Sequence, residues 1–249
     1  MIQVRLPDDK QRRLVFYLAM EEYVAANISR MLAESNQLES HDLFFLWRVP
    51  PTVIFGRNQD IEAEVNLDYC RSHNVEFYRR KSGGGCVYAD WGNIMLSYVT
   101  TDTNVEAVFC RYLDNLASAL QGLGFNAVKT EHNDVLVDGR KVSGNAFYKL
   151  PESSIVHGTL LYDVDFDEMS RSITPSQEKL QSHGVKSVRQ RVANLRKLMD
   201  KDSDFSIEDL LAHLTETFST GEILLSESAI REIEEIEQSY LAPSFIMGK

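Results

Sequence analysis

Residues 79–93 read Arg-Arg-Lys-Ser-Gly-Gly-Gly-Cys-Val-Tyr-Ala-Asp-Trp-Gly-Asn, and no other stretch of the chain indicates as much about its fold. The flanks, Val75–Tyr78 and Val87–Tyr88, have the composition of strands, so the three glycines are predicted to lie in a loop between two strands. Glycines let a ligand approach the backbone and permit positive φ, so that successive N–H groups converge on an anion. The stretch therefore predicts an anion-binding loop, with a solvated hairpin tip as the plainer alternative.

The segment from Asn133 to Tyr148 predicts a β-hairpin. Its Asp138-Gly139 pair lies between two apolar runs, and a type I′ turn favours such a pair because both central residues take positive φ. The turn predicts the register Val137–Arg140, Leu136–Lys141, Val135–Val142 and Asp134–Ser143. Because side chains alternate along a strand, one face is expected to carry Asp134, Leu136, Lys141 and Ser143.

Asp134 and Lys141 would be diagonal neighbours in this register, with backbone positions about 7–8 Å apart. They could form a surface ion pair, which is worth little energetically. They could equally flank a bound phosphate, with the carboxylate holding a divalent metal and the ammonium touching oxygen. The hairpin alone favours the ion pair.

Composition restricts the class of protein. A chain of 249 residues with 43% hydrophobic composition predicts one large core and a single domain, 1–249. Its 26 basic and 37 acidic residues give a net charge of −11, and no basic stripe occurs outside residues 79–81, so nucleic acid is not expected as a partner.

The amino-terminal residues and the cysteines indicate a reducing compartment. The amino-terminal residues 1–9 have no apolar signal core, and no apolar run is long enough to span a membrane. Cys70, Cys86 and Cys110 are odd in number and form no Cys-x-x-Cys, which argues against a disulfide framework or a structural zinc site. We expect a cytoplasmic protein.

Hydrophobic periodicity predicts strands in the middle of the chain and helices towards its ends, which indicates an α+β fold. Helices are predicted at 12–34, Glu106–Gly122, Phe205–Phe218 (after a Ser203/Asp204 start signal) and Ser226–Tyr240. Strands are predicted at Leu43–Val49, Thr52–Gly56, Val75–Arg80, Cys86–Tyr88, Asn93–Thr100, the 133–148 hairpin and Ser154–Asp163. The polar stretch Ser176–Asp200 is predicted to be a mobile loop.

A series of motifs, in order, resembles the lipoate–protein ligases over about residues 14 to 195. The motifs are Leu18-Ala19-Met20-Glu21-Glu22, Val53–Gln59, the Arg-Arg-x-Ser-Gly-Gly-Gly loop with its Gly92-Asn93, Asn133-Asp134, Gly139–Gly144, His157–Leu161 and Lys186–Leu195. The resemblance implies a central mixed or antiparallel sheet flanked by helices, as in biotin and lipoate ligase catalytic domains. It also implies that the small carboxyl-terminal accessory domain of longer bacterial ligases is absent.

The resemblance implies an enzyme that activates lipoate, or octanoate, with ATP and Mg²⁺ to an acyl-adenylate. The acyl group then passes to a lysine of an apo lipoyl domain, in a 2-oxoacid dehydrogenase E2 or a glycine cleavage H protein. Lys141 would stabilise the charge that develops in both steps, since it projects from a rigid strand. Asp134 would hold Mg²⁺.

The other implied site residues bind ATP, the adenylate or lipoate. They are Gly83, Gly84 and Gly85 through their N–H groups, Arg80 on phosphate or the acyl carboxylate, the backbone of Cys86, Val87 and Tyr88 beside adenine, together with Ser82, Asn133 and His157. His157 would lie near the acyl pocket, although a histidine on a strand is often a hydrogen-bonded core residue.

Two alternatives stay open. A cysteine-dependent acyltransferase would need an activated thiol with a partner base, and no cysteine has one in a recognised motif. A transferase could instead use preformed lipoyl-adenylate, or depend on a separate accessory protein for the activation step. Pyrophosphate release by the chain alone would discriminate between these readings.

Overall fold

The computed structural model describes residues 1–35, 42–131, 133–174, 191–200 and 203–248. Its strands are β1 (Ile2–Arg5), β2 (Asp42–Trp47), β3 (Thr52–Phe55), β4 (Glu76–Arg79), β5 (Val87–Ala89), β6 (Asn93–Thr100), β7 (Ala127–Lys129), β8 (Asp134–Val137), β9 (Arg140–Lys149), β10 (Ser154–Leu161) and β11 (Gly221–Leu224). Its helices are α1 (Leu14–Glu34), α2 (Ile61–Glu64), α3 (Leu67–Ser72), α4 (Val105–Gly122), α5 (Phe166–Ser172), α6 (Ile207–Phe218), α7 (Glu227–Leu241) and α8 (Pro243–Met247).

The strands form two sheets. The larger has eight strands in the order β11-β1-β2-β6-β10-β9-β8-β7, and the smaller has three in the order β4-β3-β5. In the large sheet β1 runs parallel to both neighbours, and the remaining pairs are antiparallel. The expected α+β fold with a mixed sheet flanked by helices is therefore confirmed.

Side chains of the large sheet belong to two cores, one on each face, because successive residues of a strand point to opposite faces. On one face, Phe45, Met95 and Ile155 pack against α1 and α7. On the other, Phe44 and Val156 belong to the core that includes α4 and α6. The small sheet contributes to a third core together with α3 and α5.

Helix α6 begins later than the sequence predicts. Ser206, rather than Ser203 or Asp204, is its N-cap: the Ser206 hydroxyl accepts from Asp209 N–H at 3.1 Å, and the Asp209 carboxylate accepts from Ser206 N–H at 2.7 Å. This reciprocal capping box satisfies two backbone donors at once, which fixes the start at Ile207. No helix in the described ranges is long and apolar enough to cross a bilayer.

The predicted turn is present, but the predicted register holds for only two pairs. Asp138 and Gly139 have φ of 49° and 75°, as a type I′ turn requires. Beyond Leu136–Lys141 a β-bulge shifts the pairing, so that Val135 faces Ser143 and Asp134 faces Gly144. The pairs Val135–Val142 and Asp134–Ser143 are therefore wrong, because one extra residue is inserted in β9.

The bulge also moves Ser143 off the face on which it was expected. Val142 and Ser143 are both fully buried, on the α4 side of the sheet. Asp134, Leu136 and Lys141 stay partly exposed. The open face of the hairpin thus carries Gly144, not Ser143, beside the Asp134–Lys141 pair.

Candidate active site

The glycine loop connects β4 to β5, which lie on opposite sides of β3. It is therefore a crossover and not the tip of a hairpin. The loop packs on the segment that follows β3: Arg57 N–H donates to Ser82 O at 2.9 Å, and a Cβ added to Gly56 would lie 2.3 Å from Gly84 O. Gly56 is thus required to let the two segments meet.

Arg80 shapes the glycine loop from within. It is 5% exposed, and its guanidinium donates to the carbonyls of Gly83 (2.7 Å), Gly85 (2.8 Å) and Ile54 (3.2 Å), and to Ser82 Oγ (3.1 Å). Burial lowers the pKa of its guanidinium to about 10, which leaves it charged at neutral pH. Its predicted contact with phosphate or the acyl carboxylate stays a prediction.

The Gly84 amide of the loop faces away from Arg80. In a trans peptide the N–H and the C=O point in opposite directions. Because Gly83 O points at the Arg80 guanidinium, the N–H of Gly84 points away from it. Gly84 has φ of 95°, a conformation that glycine adopts without cost. Gly83, Gly84 and Gly85 are exposed, and within the described part of the chain their N–H groups have no acceptor. The loop therefore presents unpaired donors to an anion.

His157 joins the loop to helix α1. Its Nε2 lies 2.8 Å from Ser82 Oγ, and its Nδ1 lies 2.8 Å from the buried carboxylate of Glu21. Glu21 also accepts from Ser97 Oγ at 2.5 Å. A carboxylate on one ring nitrogen fixes the orientation of the imidazole, so the other nitrogen is directed at the loop. Glu21 lies in a motif that the sequence singles out, but its contact with His157 is visible only in the fold.

Asp134 and Lys141 form the ion pair expected from the hairpin. Lys141 Nζ lies 2.7 Å from Asp134 Oδ1, with side chains that are 36% and 25% exposed. The lysine folds over Gly144, where an added Cβ would lie 2.7 Å from Nζ. Gly144 thus makes room for the Lys141 side chain.

The glycine loop and the ion pair lie over the same face of β9. A Cβ added to Gly84 would lie 3.9 Å from Ala146 Cβ, and Ala146 pairs with His157. Gly144, beneath Lys141, precedes Ala146 by two residues, or about 7 Å along the strand. The loop, His157 and the ion pair therefore form one patch.

Asn133 is held by a residue that sequence reasoning missed. Asn145 Nδ2 donates to Asn133 O at 2.8 Å, Asn133 Nδ2 donates back to Asn145 O, and Tyr112 OH donates to Asn145 Oδ1 at 2.8 Å. Asn145 is 5% exposed and follows the Gly139–Gly144 motif directly. These bonds fix the residue next to Asp134, and Asn133 as a ligand contact stays a prediction.

Val87 and Tyr88 lie on β5, an edge of the small sheet, and pair with Ile54 and Val53. The Tyr88 ring is buried, so only its backbone can face a ligand. Cys86 is half-buried beside them. These positions suit the predicted backbone contacts, which are otherwise untested.

Cys70 lacks the surroundings of a nucleophile, and Cys110 lies away from the glycine loop. Cys70 is buried, and burial raises the pKa of its thiol, which disfavours the thiolate. Cys110 is exposed on α4, on the far side of the large sheet from His157, where Sγ lies 3.0 Å from Lys129 Nζ.

The expected mobile loop falls partly outside the described residues. Its residues 176–190, with half of the Lys186–Leu195 motif, are among those not described. The described part, 191–200, is anchored: Ala193 N–H donates to Lys141 O at 2.9 Å, and the Asn194 side chain bonds both backbone groups of Val164. The motif therefore ends against the strand that carries Lys141.

Comparison with known proteins gives consistent results. The model of the lipoyl protein ligase A/B catalytic domain matches residues 14–219. Lipoate–protein ligase 1 of Staphylococcus aureus is 42% identical over 184 residues, 74% of this chain and 53% of that protein. Lipoate-protein ligase LplJ of Bacillus subtilis is 33% identical over 208 residues, 83% and 60% of the two chains. This chain thus spans little more than half the length of these relatives.

Solved structures show the same fold. A bi-partite lipoate protein ligase from Thermoplasma acidophilum has a TM-score of 0.79 and 26% identity, covering 100% of this chain and 97% of that one. Lipoate-protein ligase A bound with ATP has a TM-score of 0.75 and 23% identity, with 100% and 97% coverage. Because the family model matches most of its length and its relatives exceed 30% identity, this chain belongs to the lipoyl protein ligase A/B catalytic-domain family.

Proposed function

We propose that this chain attaches lipoate, or octanoate, to a lysine of lipoyl-domain proteins, using ATP to form an acyl-adenylate. The observation that carries the proposal is the juxtaposition of exposed, unpaired glycine-loop amides with Lys141 on one face of β9. Donors of this kind suit a ligand that carries a phosphate and an acyl oxygen.

In the first step, a lipoate carboxylate oxygen attacks the α-phosphorus of ATP, and the bond to the β-phosphate bridging oxygen breaks to release pyrophosphate. Charge builds on the α-phosphate oxygens during this displacement. The loop amides and Lys141 would stabilise that charge from fixed positions, which is the efficient form of electrostatic catalysis. The backbone of Val87 and Tyr88 would line the adenine.

In the second step, the acceptor lysine amine attacks the acyl carbon, AMP leaves with the bridging oxygen, and the amine loses a proton. Negative charge now develops on the acyl oxygen, where Lys141 would again act. His157, fixed by Glu21 and bonded to Ser82, would position the acyl end of the substrate beside the loop. The aliphatic chain gains about 0.8 kcal/mol per buried methylene, so octanoate should also bind.

Asp134 fits a role in holding Mg²⁺. Its Oδ1 is buried, accepts no directed hydrogen bond and contacts the Lys141 ammonium. Magnesium usually takes one or two protein carboxylates, with phosphate and water completing its shell. When bound there, the ion would neutralise the charge of the pyrophosphate leaving group.

A narrower function is the second candidate: transfer from lipoyl-adenylate, with activation dependent on a separate accessory protein. One observation favours it: the chain covers 97% of a chain from a ligase described as bi-partite. That ligase is described together with its E2 lipoyl domain, which supports a lipoyl-domain acceptor here.

Intact-mass analysis tests the proposal. The purified chain is incubated with ATP, Mg²⁺, lipoate and an apo lipoyl domain, and reactions that omit one component serve as controls. We expect the mass of one lipoyl group on the acceptor only in the complete mixture. No modification with either ATP plus lipoate or preformed lipoyl-adenylate would contradict both candidates.

The two candidates differ in whether the chain alone forms the adenylate. Release of pyrophosphate from ATP and lipoate by the chain alone supports the complete ligase. Transfer from preformed lipoyl-adenylate without any pyrophosphate release supports the narrower transferase. A hydroxylamine-labile acyl group on the enzyme would instead indicate thiol catalysis.

A further inference from the structure

Arg79, the first cation of the glycine-loop stretch, is bound to the carboxyl-terminal segment. It is 5% exposed, and its Nε donates to the carbonyls of Phe245 (2.9 Å) and Ile246 (3.1 Å). These lie in the last turn of α8, where carbonyls have no partner within the helix. Its Nη1 donates to the carbonyls of Arg57 (2.9 Å) and Gln59 (2.8 Å). One guanidinium thus joins α8 to the segment on which the glycine loop rests.

Lys81 makes a second connection to the same end of the chain. Its ammonium lies 2.7 Å from a Glu22 oxygen on α1 and 4.7 Å from the centre of the Tyr240 ring. The Tyr240 hydroxyl donates to the same glutamate. Tyr240 is 2% exposed, so this bond is shielded from water. Glu22 therefore holds Lys81 and Tyr240 together, while its neighbour Glu21 holds His157.

Gly248 closes the arrangement. Its φ is 71°, and a Cβ added there would lie 2.9 Å from Arg79 Nη2. Only glycine combines this backbone conformation with this close approach at no cost. The match to the family model ends at residue 219, before all of these carboxyl-terminal residues.

We propose that Tyr240 and residues 243–248 are positioning elements of the active site, which hold the glycine loop in its ligand-binding shape through Lys81 and Arg79. The functional unit then extends to residue 248, beyond the region that defines the family. The cations at 79 and 81 act on the protein itself, and the loop amides are left as the ligand-facing groups.

Two backbone hydrogen bonds report on the shape of the loop. Arg80 N–H donates to Phe55 O at 3.0 Å, and Arg57 N–H donates to Ser82 O at 2.9 Å. Both lie next to a clamped residue, and neither involves a carboxyl-terminal group. If the clamp positions the loop, loosening it should open these two bonds first.

The test is hydrogen–deuterium exchange of the full chain, resolved at the amides of Arg57 and Arg80. Tyr240→Phe removes the hydroxyl bond to Glu22, and Gly248→Ala forces a Cβ against Arg79. Each has a matched control: Tyr162→Phe removes another buried hydroxyl bond, to Phe205 O, and Gly124→Ala adds a methyl at φ of 86° with nothing within 4 Å.

We expect both amides to exchange on the order of tenfold faster in Tyr240→Phe and Gly248→Ala, because a hydrogen bond to a charged group is lost or strained. The two controls should leave both amides unchanged. Wild-type exchange at both amides in folded Tyr240→Phe would overturn the proposal. An equal acceleration of amides throughout the chain would overturn it as well, since it would indicate general destabilisation.

Exchange requires no substrate, so this result stands apart from the proposed ligase activity. Where that activity is found, and only on that basis, Tyr240→Phe should raise KM for ATP on the order of tenfold while kcat changes by less than about threefold. A fall in kcat alone would contradict a role in positioning the binding loop.

Discussion

Lys141 Nζ and Asp134 Oδ1 lie 2.7 Å apart across a bulged hairpin, so the groups assigned to the phosphate and to its metal ion neutralise each other. A bound nucleotide with its magnesium ion would replace this ion pair by two contacts: the lysine would bind phosphate, and the carboxylate would bind magnesium. We therefore expect the pair to separate when the ligand binds, and its side chains, 36% and 25% exposed, are accessible to that ligand.

Lys141→Ala should preserve the fold, because the side chain lies on an open strand face, and lower lipoylation by on the order of 10²-fold or more. Intact-mass rates on an apo lipoyl domain measure the effect. Lys149→Ala, at an exposed position on the same strand, is the control and should retain activity. Near-normal turnover by folded Lys141→Ala would remove Lys141 from the mechanism and leave it as half of an ion pair.

Gly84→Val should lower the affinity for a non-hydrolysable lipoyl-adenylate analogue by on the order of 10²-fold or more. A side chain at φ of 95° is strained, and its Cβ would lie 2.8 Å from Arg80 Nη2, which organises the loop carbonyls. Calorimetry gives the affinity, and Gly124→Ala controls for a positive-φ substitution without neighbours. Unchanged affinity would show that the loop amides do not contact the adenylate.

Simultaneous replacement of Cys70, Cys86 and Cys110 by Ala should leave acyl transfer within about threefold of wild type. Some stability should be lost, since a buried thiol packs as a small hydrophobe. The readouts are lipoylation rate and the mass of the enzyme after reaction. An acyl group on any of the three thiols, removable by hydroxylamine, would replace the ligase mechanism with a thioester one.

Glu237→Gln should stabilise the chain at neutral pH. The carboxyl is 8% exposed and its Oε1 has no hydrogen bond. Burial outweighs the Arg13 guanidinium 3.5 Å away, so the pKa of the carboxyl lies above the ordinary value of 4.5. The folded state then holds this proton more tightly than the unfolded state. The cost to stability is absent below about pH 4.5 and grows as pH rises through the folded pKa.

Thermal unfolding at two pH values measures this effect. At pH 7, Tm should rise by about 2–4 °C, the shift that roughly 1 kcal/mol produces in a chain of this size. At pH 4 the gain should vanish, and Glu235→Gln, exposed on the same helix, should change Tm at neither pH. An equal gain at both pH values would assign the effect to packing and not to the charge.

The hairpin shows where sequence reasoning succeeds and where it stops. The Asp138-Gly139 turn is local chemistry, and it correctly predicts the first two pairs of the register. The bulge at Val142 depends on the core that includes α4. Val142 and Ser143 are both buried, and the bulge that allows this leaves one residue of β9 without a partner on β8. The alternation of apolar and polar residues within the strand does not predict this departure from regular pairing.

The loop cations illustrate a second limit. The sequence shows three adjacent cations beside the glycine loop, but it does not show what each of them contacts. The fold binds Arg79 and Arg80 to backbone carbonyls and Lys81 to Glu22. Sequence separation hides these contacts: Lys81 and Glu22 lie 59 positions apart. The glycines predict the loop correctly because the conformation and the close approach that they permit are properties of their own backbone.

Strand β1 lies inside the large sheet, with Ile2 paired to Gly221 on one side and to Leu43 on the other. Strand β1 therefore leaves the ribosome long before the strand that covers its outer edge. At about 5–20 residues per second, its outer edge stays bare for roughly 10–40 s in the nascent chain. An uncovered edge is a template for pairing with other chains. Translation speed and chaperone capacity, as much as final stability, should therefore set how much of this protein reaches its native state in a cell.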